Sequence, residues 1–451
     1  MFEIKKPTVY LAFGILCLLP VGLLFSSDVW FDEAYTLSLI KNSYEDMSAI
    51  LAADMHPPLY YFALKFFCSY CGYSVLATKV FSYLGFIATL ALGPFAVMPN
   101  YGRKTAFIYM LAVGAVPMLY YFGVQQRAYS WCIFFVTLCY IYAAEFIKER
   151  RQYRAVIFSV AGLAAAYCHT YALLAVAIIF IFTNIYIFYI RSRHGIPNIL
   201  LADLLMLAGY LPQLFTLWGQ FSSAKQNFWL QGIEPLSLVV LAAGIGFAVW
   251  VLWDKARRRS SFIFPLTVIL GLQAVGLLVS VFVRPLYIAR YSVVVLGVFA
   301  LTLARIVRLS EGTFRKWACL ALVCLNIVGL SGTCLLEYDG SQRAAMAEFK
   351  EAAADKQVVC LDSSFGIISH YFPNKRILVT YNQPWFSAFK NVESIEKEDL
   401  ARYVGDGPAL LVKNRAKALP DYLTEDFNAK IIDTFKADFN SFEVYLITGK
   451  E

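Results

Sequence analysis

The sequence predicts a polytopic α-helical membrane protein that carries a small soluble α/β domain at its C-terminal end. Of its 451 residues, 59% are apolar and only 16% are charged, whereas a soluble globular protein has about 45–50% and 25%. The apolar residues form long runs between residues 1 and 336, and the composition of residues 337–451 is that of a soluble protein. We therefore expect a membrane domain at 1–336 and a soluble domain at 337–451.

About 20 apolar residues are needed to cross the hydrocarbon core of a bilayer. The sequence predicts eleven such spans, near residues 8–26, 80–98, 105–122, 129–147, 155–171, 172–190, 199–218, 235–253, 261–283, 290–307 and 316–335. The continuous apolar run at 155–190 would be about 54 Å long as one helix. It must fold back, and we expect the turn at His169-Thr170.

Basic residues recur in short clusters between the apolar runs, which is a topology signal because basic loops stay on the cytoplasmic side. If residues 57–71 form an interfacial helix instead of a twelfth span, every strong basic cluster lies inside. The N-terminus is then cytoplasmic and residues 337–451 lie outside. The net charge of +8, distributed in this way, argues against a nucleic-acid partner.

Lys5-Lys6 and the following apolar run have no small-x-small cleavage site, so we expect a membrane anchor and not a removable signal.

The soluble domain alternates helical and β-rich segments. We expect a helix near 341–354, strands at 358–361, 377–380 and 409–412, and a β-rich stretch at 430–447. Most of the ten cysteines lie in apolar runs, where cysteine behaves as a small hydrophobe. Cys68-x-x-Cys71 could be a metal or redox pair, but no second pair completes a tetrahedral site.

The first outer loop, residues 27–79, contains the densest acidic segment of the membrane domain. It begins with Trp30-Phe31-Asp32-Glu33-Ala34-Tyr35 and later reads His56-Pro57-Pro58-Leu59-Tyr60-Tyr61. Acidic residues and prolines also suit the first turns of helices, which is the alternative explanation. The neighbouring aromatic residues favour a site at the bilayer boundary, where partial desolvation makes a carboxylate a stronger base.

Three arginines, Arg127, Arg284 and Arg290, occur at the outer ends of later spans, against the charge rule. They could extend toward lipid headgroups. The functional interpretation is recognition of an anionic headgroup, because the planar guanidinium matches phosphate oxygens and keeps its charge.

One carboxylate and several arginines suit the transfer of a glycosyl group from a lipid phosphate to an acceptor hydroxyl. The phosphate is a good leaving group that needs charge stabilisation, and the hydroxyl needs a base. A lone base predicts inversion at the anomeric carbon, since retention usually needs a second carboxylate as nucleophile.

At these residues the sequence resembles the GT-C superfamily of membrane glycosyltransferases, in particular the group of protein O-mannosyltransferases and bacterial aminoarabinose transferases of lipid A. The resemblance covers about residues 8–310. The matching pieces are Asp32-Glu33, His56-Pro57-Pro58-Leu59-Tyr60-Tyr61, Arg127-Ala128-Tyr129, Cys168-His169-Thr170-Tyr171 and Arg290-Tyr291.

The resemblance implies a polyprenyl-phosphate sugar as donor, with its lipid tail reaching the site between spans. Asp32 would be the base or the carboxylate that orients the acceptor, and Glu33 would support it. Arg127 and Arg290 would hold the donor phosphate. Further candidates are Arg284 and His56 for the phosphate, and Tyr60, Tyr61, Tyr129, His169 and Tyr291 for the substrate pocket. The resemblance requires no cofactor, and a divalent metal at His56 is the less favoured alternative.

The soluble domain departs from the β-trefoil modules of eukaryotic protein mannosyltransferases and is similar to small α/β domains of bacterial relatives. No Asn-x-Ser/Thr triplet occurs in the sequence, which disfavours a secretory-pathway protein. We expect a bacterial cytoplasmic membrane protein, surrounded by membrane lipids, with a lipid, glycan or protein acceptor.

Two other classes compete with this interpretation. A transporter or flippase of a lipid-linked or anionic solute would be expected to carry charges near the membrane midplane and related halves. Here the candidate charges lie at span ends and no repeat is visible. The second alternative is a scaffold that has lost catalysis and assembles envelope complexes, against which the combination of Asp32, Arg127 and Arg290 argues.

Overall fold

The computed structural model describes residues 4–54, 56–116, 119–223, 234–253, 260–282, 287–380, 384–405, 407–437 and 440–449. The chain divides into two compact units. The membrane unit comprises Met1–Leu24, Met55–Tyr60 and Lys79–Thr333, and the loop and C-terminal unit comprises Phe25–Asp54, Tyr61–Thr78 and Cys334–Glu451.

In the described part of residues 4–337, the regular elements are all helices. The α-helices are α1 (Lys6–Leu18), α2 (Phe31–Leu39), α3 (Tyr44–Ala53), α4 (Leu59–Cys71), α5 (Val75–Leu92), α6 (Met98–Tyr101), α7 (Arg103–Ala115), α8 (Leu119–Val124), α9 (Tyr129–Lys148), α10 (Gln152–Cys168), α11 (Thr170–Tyr189), α12 (Gly195–Ser223), α13 (Pro235–Trp253), α14 (Ser260–Phe282), α15 (Leu296–Leu309) and α16 (Gly312–Glu337). Short 3-10 segments at Leu19–Phe25 and Ala289–Val295 extend α1 and precede α15.

Nine helical stretches in the described residues are long and apolar enough to span a membrane. Helical segments occupy the described residues of each of the eleven predicted spans, but in two of them these segments fall short of this length. One is α10, with 17 residues, and the other is divided between α7 and α8, with 13 and 6 residues. The predicted turn is confirmed, because α10 ends at Cys168 and α11 begins at Thr170. Helix α4 has 13 residues, about 20 Å, which is too short to cross a bilayer.

Small and polar residues allow the helices of the membrane unit to pack closely. Ser130 Oγ donates to the Ser82 carbonyl at 2.6 Å, and a Cβ on Gly85 would lie 2.7 Å from the same hydroxyl. On another helix pair, Asn326 donates to the Leu111 carbonyl at 2.9 Å. Such contacts replace the hydrophobic driving force that is missing between helices in lipid.

The C-terminal residues form a small α/β domain, as the alternating pattern predicts. Its helices are α17 (Ser341–Ala352), α18 (Ser364–Tyr371), α19 (Leu400–Gly405) and α20 (Asp421–Asp426), with 3-10 segments at Pro384–Ala388 and Lys397–Asp399. Its strands are β1 (Gln357–Cys360), β2 (Ile377–Val379), β3 (Val392–Ser394), β4 (Ala409–Asn414), β5 (Phe427–Ala437) and β6 (Asn440–Gly449). The predicted segments match α17, β1, β2, β4 and the β5–β6 pair; β3 was not predicted.

The six strands form one sheet in the order β3-β2-β1-β4-β6-β5. The first four are parallel, with Val358 opposite both Ile377 and Leu410, and the β5–β6 hairpin adds antiparallel to β4. A buried core on the sheet includes Val359, Leu378 and Leu411. These short apolar runs suit parallel strands that are covered by helices.

The division into units differs from the predicted domains in one respect. Most of the first loop, placed at 27–79 within the predicted membrane domain, groups here with the C-terminal residues. The reason lies in contacts between the loop and residues more than 300 positions away, which no local pattern reports.

Candidate functional site

Arg127 lies in the turn between α8 and α9, where its side chain is 5% exposed. Its guanidinium Nη2 is 2.6 Å from His56 Nε2. A guanidinium can only donate, so His56 Nε2 accepts this hydrogen bond and the neutral ring carries its proton on Nδ1. The two predicted phosphate ligands therefore contact each other, although 71 residues separate them.

His169 is the N-cap of α11, and its Nδ1 accepts a hydrogen bond from the Tyr171 amide at 3.1 Å. This bond satisfies one of the free amides at the helix start and leaves the proton of the neutral ring on Nε2. The ring also packs against Tyr129 and Tyr291, with centroid distances of 5.9 and 5.1 Å. His169 is thus both a structural cap and a member of an aromatic group.

Arg290 is half-buried at the start of the 3-10 segment before α15, with its guanidinium 5.5 Å from the centre of the Tyr291 ring. Arg127, Arg290 and His56 all lie within electrostatic range of His169. We call these four residues, with Tyr129 and Tyr291, the arginine–histidine cluster. Six of the predicted site residues meet in it.

A buried hydrogen-bond network supports the segment that carries Arg290. Gln273 Oε1 accepts from the Tyr287 hydroxyl at 2.6 Å and from the Ser292 hydroxyl at 2.9 Å. Glu234 Oε2 accepts from the Ala289 amide at 2.7 Å. The sequence reasoning missed these groups, and Gln273, a polar residue within an apolar run, is the signal that could have found them. Arg284 lies outside the described residues.

Tyr60 and Lys79 occupy a second buried region of the membrane unit. The Tyr60 hydroxyl is 2.8 Å from Ser82 Oγ, and both side chains are fully buried. Lys79, three residues before Ser82 on α5, is 0% exposed. A fully buried lysine at the beginning of a membrane-spanning helix is a functional candidate by default, and the sequence analysis did not single it out.

Asp32 and Glu33 lie in the first turn of α2, in the loop and C-terminal unit. Asp32 is half-buried, whereas Glu33 is 4% exposed and its Oε2 accepts from the Trp30 amide at 3.4 Å. Glu33 therefore caps the helix that presents Asp32. Tyr61 is buried in the same unit, with its ring 6.5 Å from that of Tyr35.

In the described part of the chain, no group of three His, Cys, Asp or Glu side chains could hold a metal ion. All ten cysteines, which fall within that part, carry free thiols, including buried Cys68 and exposed Cys71.

The described helices and the small sheet define a multi-pass membrane protein with an appended α/β domain. The chain is similar to the crystal structures of ArnT from Cupriavidus metallidurans. The apo state gives a TM-score of 0.65 at 10% identity over 98% of this chain and 99% of that one, and the state bound to undecaprenyl phosphate gives 0.63 at 12% over 99% and 100%. No family model and no curated protein matches the sequence. At this identity the similarity concerns the fold.

Proposed function

We propose that this protein is an inverting glycosyltransferase that moves a sugar from a polyprenyl-phosphate donor to an acceptor hydroxyl. The observation that carries the proposal is the gathering of Arg127 and Arg290 around two histidines. Like charges repel and buried cations lose hydration, so such a cluster is stabilised when an anion binds to it. A phosphate satisfies the guanidinium geometry best.

The fold supports a lipid-linked anion as the ligand. A protein with the same fold was solved with undecaprenyl phosphate bound, and here the cluster belongs to a unit built of apolar helices. Each neutral histidine ring in the cluster also retains one N–H, on Nδ1 of His56 and Nε2 of His169. These donors can bind phosphate oxygens alongside the guanidinium groups.

The proposed reaction is a single displacement. Asp32 takes the proton from the acceptor hydroxyl, and the oxygen attacks the anomeric carbon. The bond from that carbon to the phosphate oxygen breaks, and its electron pair leaves on polyprenyl phosphate. Arg127 and Arg290 stabilise the charge that develops on this leaving group. With one base and no carboxylate nucleophile, the anomeric configuration inverts.

The remaining assignments follow the proposed chemistry. The part of the donor next to the phosphate would be contacted by Tyr129, His169 and Tyr291. The substrate pocket would be shaped by Tyr60 and Tyr61. Glu33 would act on Asp32 through the helix start. We further propose a bacterial cytoplasmic membrane location, with the N-terminus inside and residues 337–451 outside.

The test is an assay for free polyprenyl phosphate. Full-length protein in lipid nanodiscs is incubated with a panel of polyprenyl-phosphate sugars and a total envelope extract as the source of acceptors. We expect one donor to release polyprenyl phosphate and the product linkage to show inverted configuration by NMR. Absence of release from every donor, with intact folded protein, would contradict the proposal. Comparison of envelope glycans with and without the protein identifies the acceptor.

A further inference from the structure

The C-terminal domain holds the segment just before α2. Arg343 Nε donates to Asp28 Oδ1 at 2.9 Å, and the Tyr371 hydroxyl lies 3.4 Å from the same oxygen. Next to them, Gln342 Nε2 donates to the Val29 carbonyl at 2.7 Å. All these residues belong to the loop and C-terminal unit. The chain is thus fixed three residues before Asp32 by α17 and α18.

An aromatic group from the C-terminal domain packs against α2 itself. Phe31, adjacent to Asp32, contacts Phe365 and Trp385 at ring centroid distances of 5.7 and 5.6 Å. Tyr35, one turn later, contacts Trp385 and Phe389 at 6.2 Å each. The first three of these pairs are edge-on, an arrangement that contributes beyond the buried area. Both sides of Asp32 along the helix are therefore fixed by rings from the domain.

Gly366 on α18 makes room for this packing. A Cβ at this position would lie 2.7 Å from Cδ2 and 2.8 Å from Cε2 of Phe31. These atoms belong to a rigid ring that is held by Phe365 and Trp385, so the ring could give way only if α2 moved. After the helix, Asn42 Nδ2 donates to the Ala388 carbonyl at 3.1 Å. The domain thus contacts the α2 segment before, along and after the helix.

We infer that Phe365, Gly366 and Trp385 are positioning residues for Asp32. The C-terminal domain is then part of the catalytic apparatus, and not only a cover over the donor or a recognition module for the acceptor. This inference rests on the proposed function. A general base must reach its proton within hydrogen-bond distance, and a displacement of about 1 Å can cost about 100-fold in rate. The domain acts on Asp32 through Phe31 and the helix.

The experiment compares Gly366→Ala with Gly449→Ala, a matched glycine on β6 where an added Cβ meets no atom within 4 Å. In full-length protein, we expect Gly366→Ala to lower kcat about 10- to 100-fold while the Kd for polyprenyl phosphate stays within about twofold of wild type. Gly449→Ala should behave as wild type. Trp385→Ala should repeat the kcat loss, and Trp385→Phe, which keeps an aromatic ring, should restore most of it.

A second readout does not depend on activity. Hydrogen exchange of the peptide covering α2 should be faster in Gly366→Ala and Trp385→Ala than in wild type or Gly449→Ala, because the helix loses its support. Unchanged hydrogen exchange in α2 would overturn the inference. Unchanged kcat in both Gly366→Ala and Trp385→Ala would also overturn it, as would a loss of donor affinity as large as the loss of kcat. A wild-type protein that releases no polyprenyl phosphate would instead count against the proposed function, and hydrogen exchange would still test the contact.

Discussion

Arg127 Nη2 donates to His56 Nε2 at 2.6 Å, joining the turn before α9 to the segment before α4. The bond defines the protonation state of the histidine, because a guanidinium has no acceptor. It also orients a guanidinium that is 5% exposed. Because the imidazole is neutral, it does not repel the Arg127 guanidinium as a second cation would. The same hydrogen bond also fixes the directions of the other N–H groups of Arg127.

Replacement of Arg127 should weaken donor binding. We expect Arg127→Ala to cost about 1.5–3 kcal/mol in the affinity for polyprenyl phosphate, as for a hydrogen bond to a charged group. The affinity of Arg127→Lys should lie between those of wild type and Arg127→Ala, because lysine keeps the charge but lacks the planar guanidinium fork. Titration of the lipid phosphate measures both. Arg103, an exposed arginine at the start of α7, provides the control as Arg103→Ala, and unchanged affinity in Arg127→Ala would remove Arg127 from the site.

The histidine should act through the arginine. We expect His56→Ala to weaken donor binding less than Arg127→Ala, and the double variant to lose less than the sum of the two single losses. Coupled residues in contact show interaction energies of about 0.5–3 kcal/mol. A double-mutant cycle on the Kd for polyprenyl phosphate gives this value. Strict additivity would mean that their hydrogen bond does not contribute to binding.

Asp32 should be required for turnover and not for donor binding. Asp32→Asn keeps the size of the side chain but removes the base, so kcat should fall at least about 100-fold, within the usual contribution of general base catalysis. The Kd for polyprenyl phosphate should stay close to wild type. Glu45→Gln, at an exposed position on α3, is the matched control. Parallel loss of turnover and donor binding in Asp32→Asn would indicate a structural carboxylate.

Gly114 should be intolerant of substitution for reasons of packing alone. An added Cβ would overlap Asn326 Oδ1 and lie 2.7 Å from the Tyr120 hydroxyl, the two groups that hydrogen-bond each other there. We expect Gly114→Ala to destabilise the membrane unit by about 1–3 kcal/mol, the usual cost of overpacking. Thermal unfolding in detergent measures it. Gly246→Ala, where nothing lies within 4 Å of an added Cβ, should leave the melting temperature unchanged. Equal melting temperatures of the two variants would refute the close packing of Gly114 against Asn326 and Tyr120.

The C-terminal domain should lose stability in mild acid. Burial and the nearby Lys41 ammonium lower the pKa of His370 to about 4. The unfolded chain takes up this proton near pH 6.5, so stability should fall as the pH drops from about 6.5 to about 4, by up to about 3 kcal/mol. Melting followed by tryptophan fluorescence across this range should show a smaller decline in His370→Gln. Identical pH profiles would exclude His370 as the cause.

Much of the fold follows from local patterns. The positions of the helices and the turn at His169 follow from the length of apolar runs, because lipid requires each span to satisfy its own backbone hydrogen bonds. The strands β1, β2 and β4 follow from short β-rich segments between turn residues. Strand β3 was missed because its three residues, Val392–Ser394, carry almost no pattern. The short helices within the predicted spans 105–122 and 155–171 were not anticipated, because hydropathy reports composition and not where a helix breaks.

The candidate site was predicted as a list of residues and not as an arrangement. The sequence alone determined that arginines, histidines and carboxylates stand at the ends of apolar runs, since such charges are costly there and therefore conspicuous. Only the tertiary structure paired Arg127 with His56 and joined Asp28 to Arg343. It also buried Lys79 completely. These contacts bring together residues far apart in the chain, and their energies depend on distance and burial, which no periodicity in the sequence encodes.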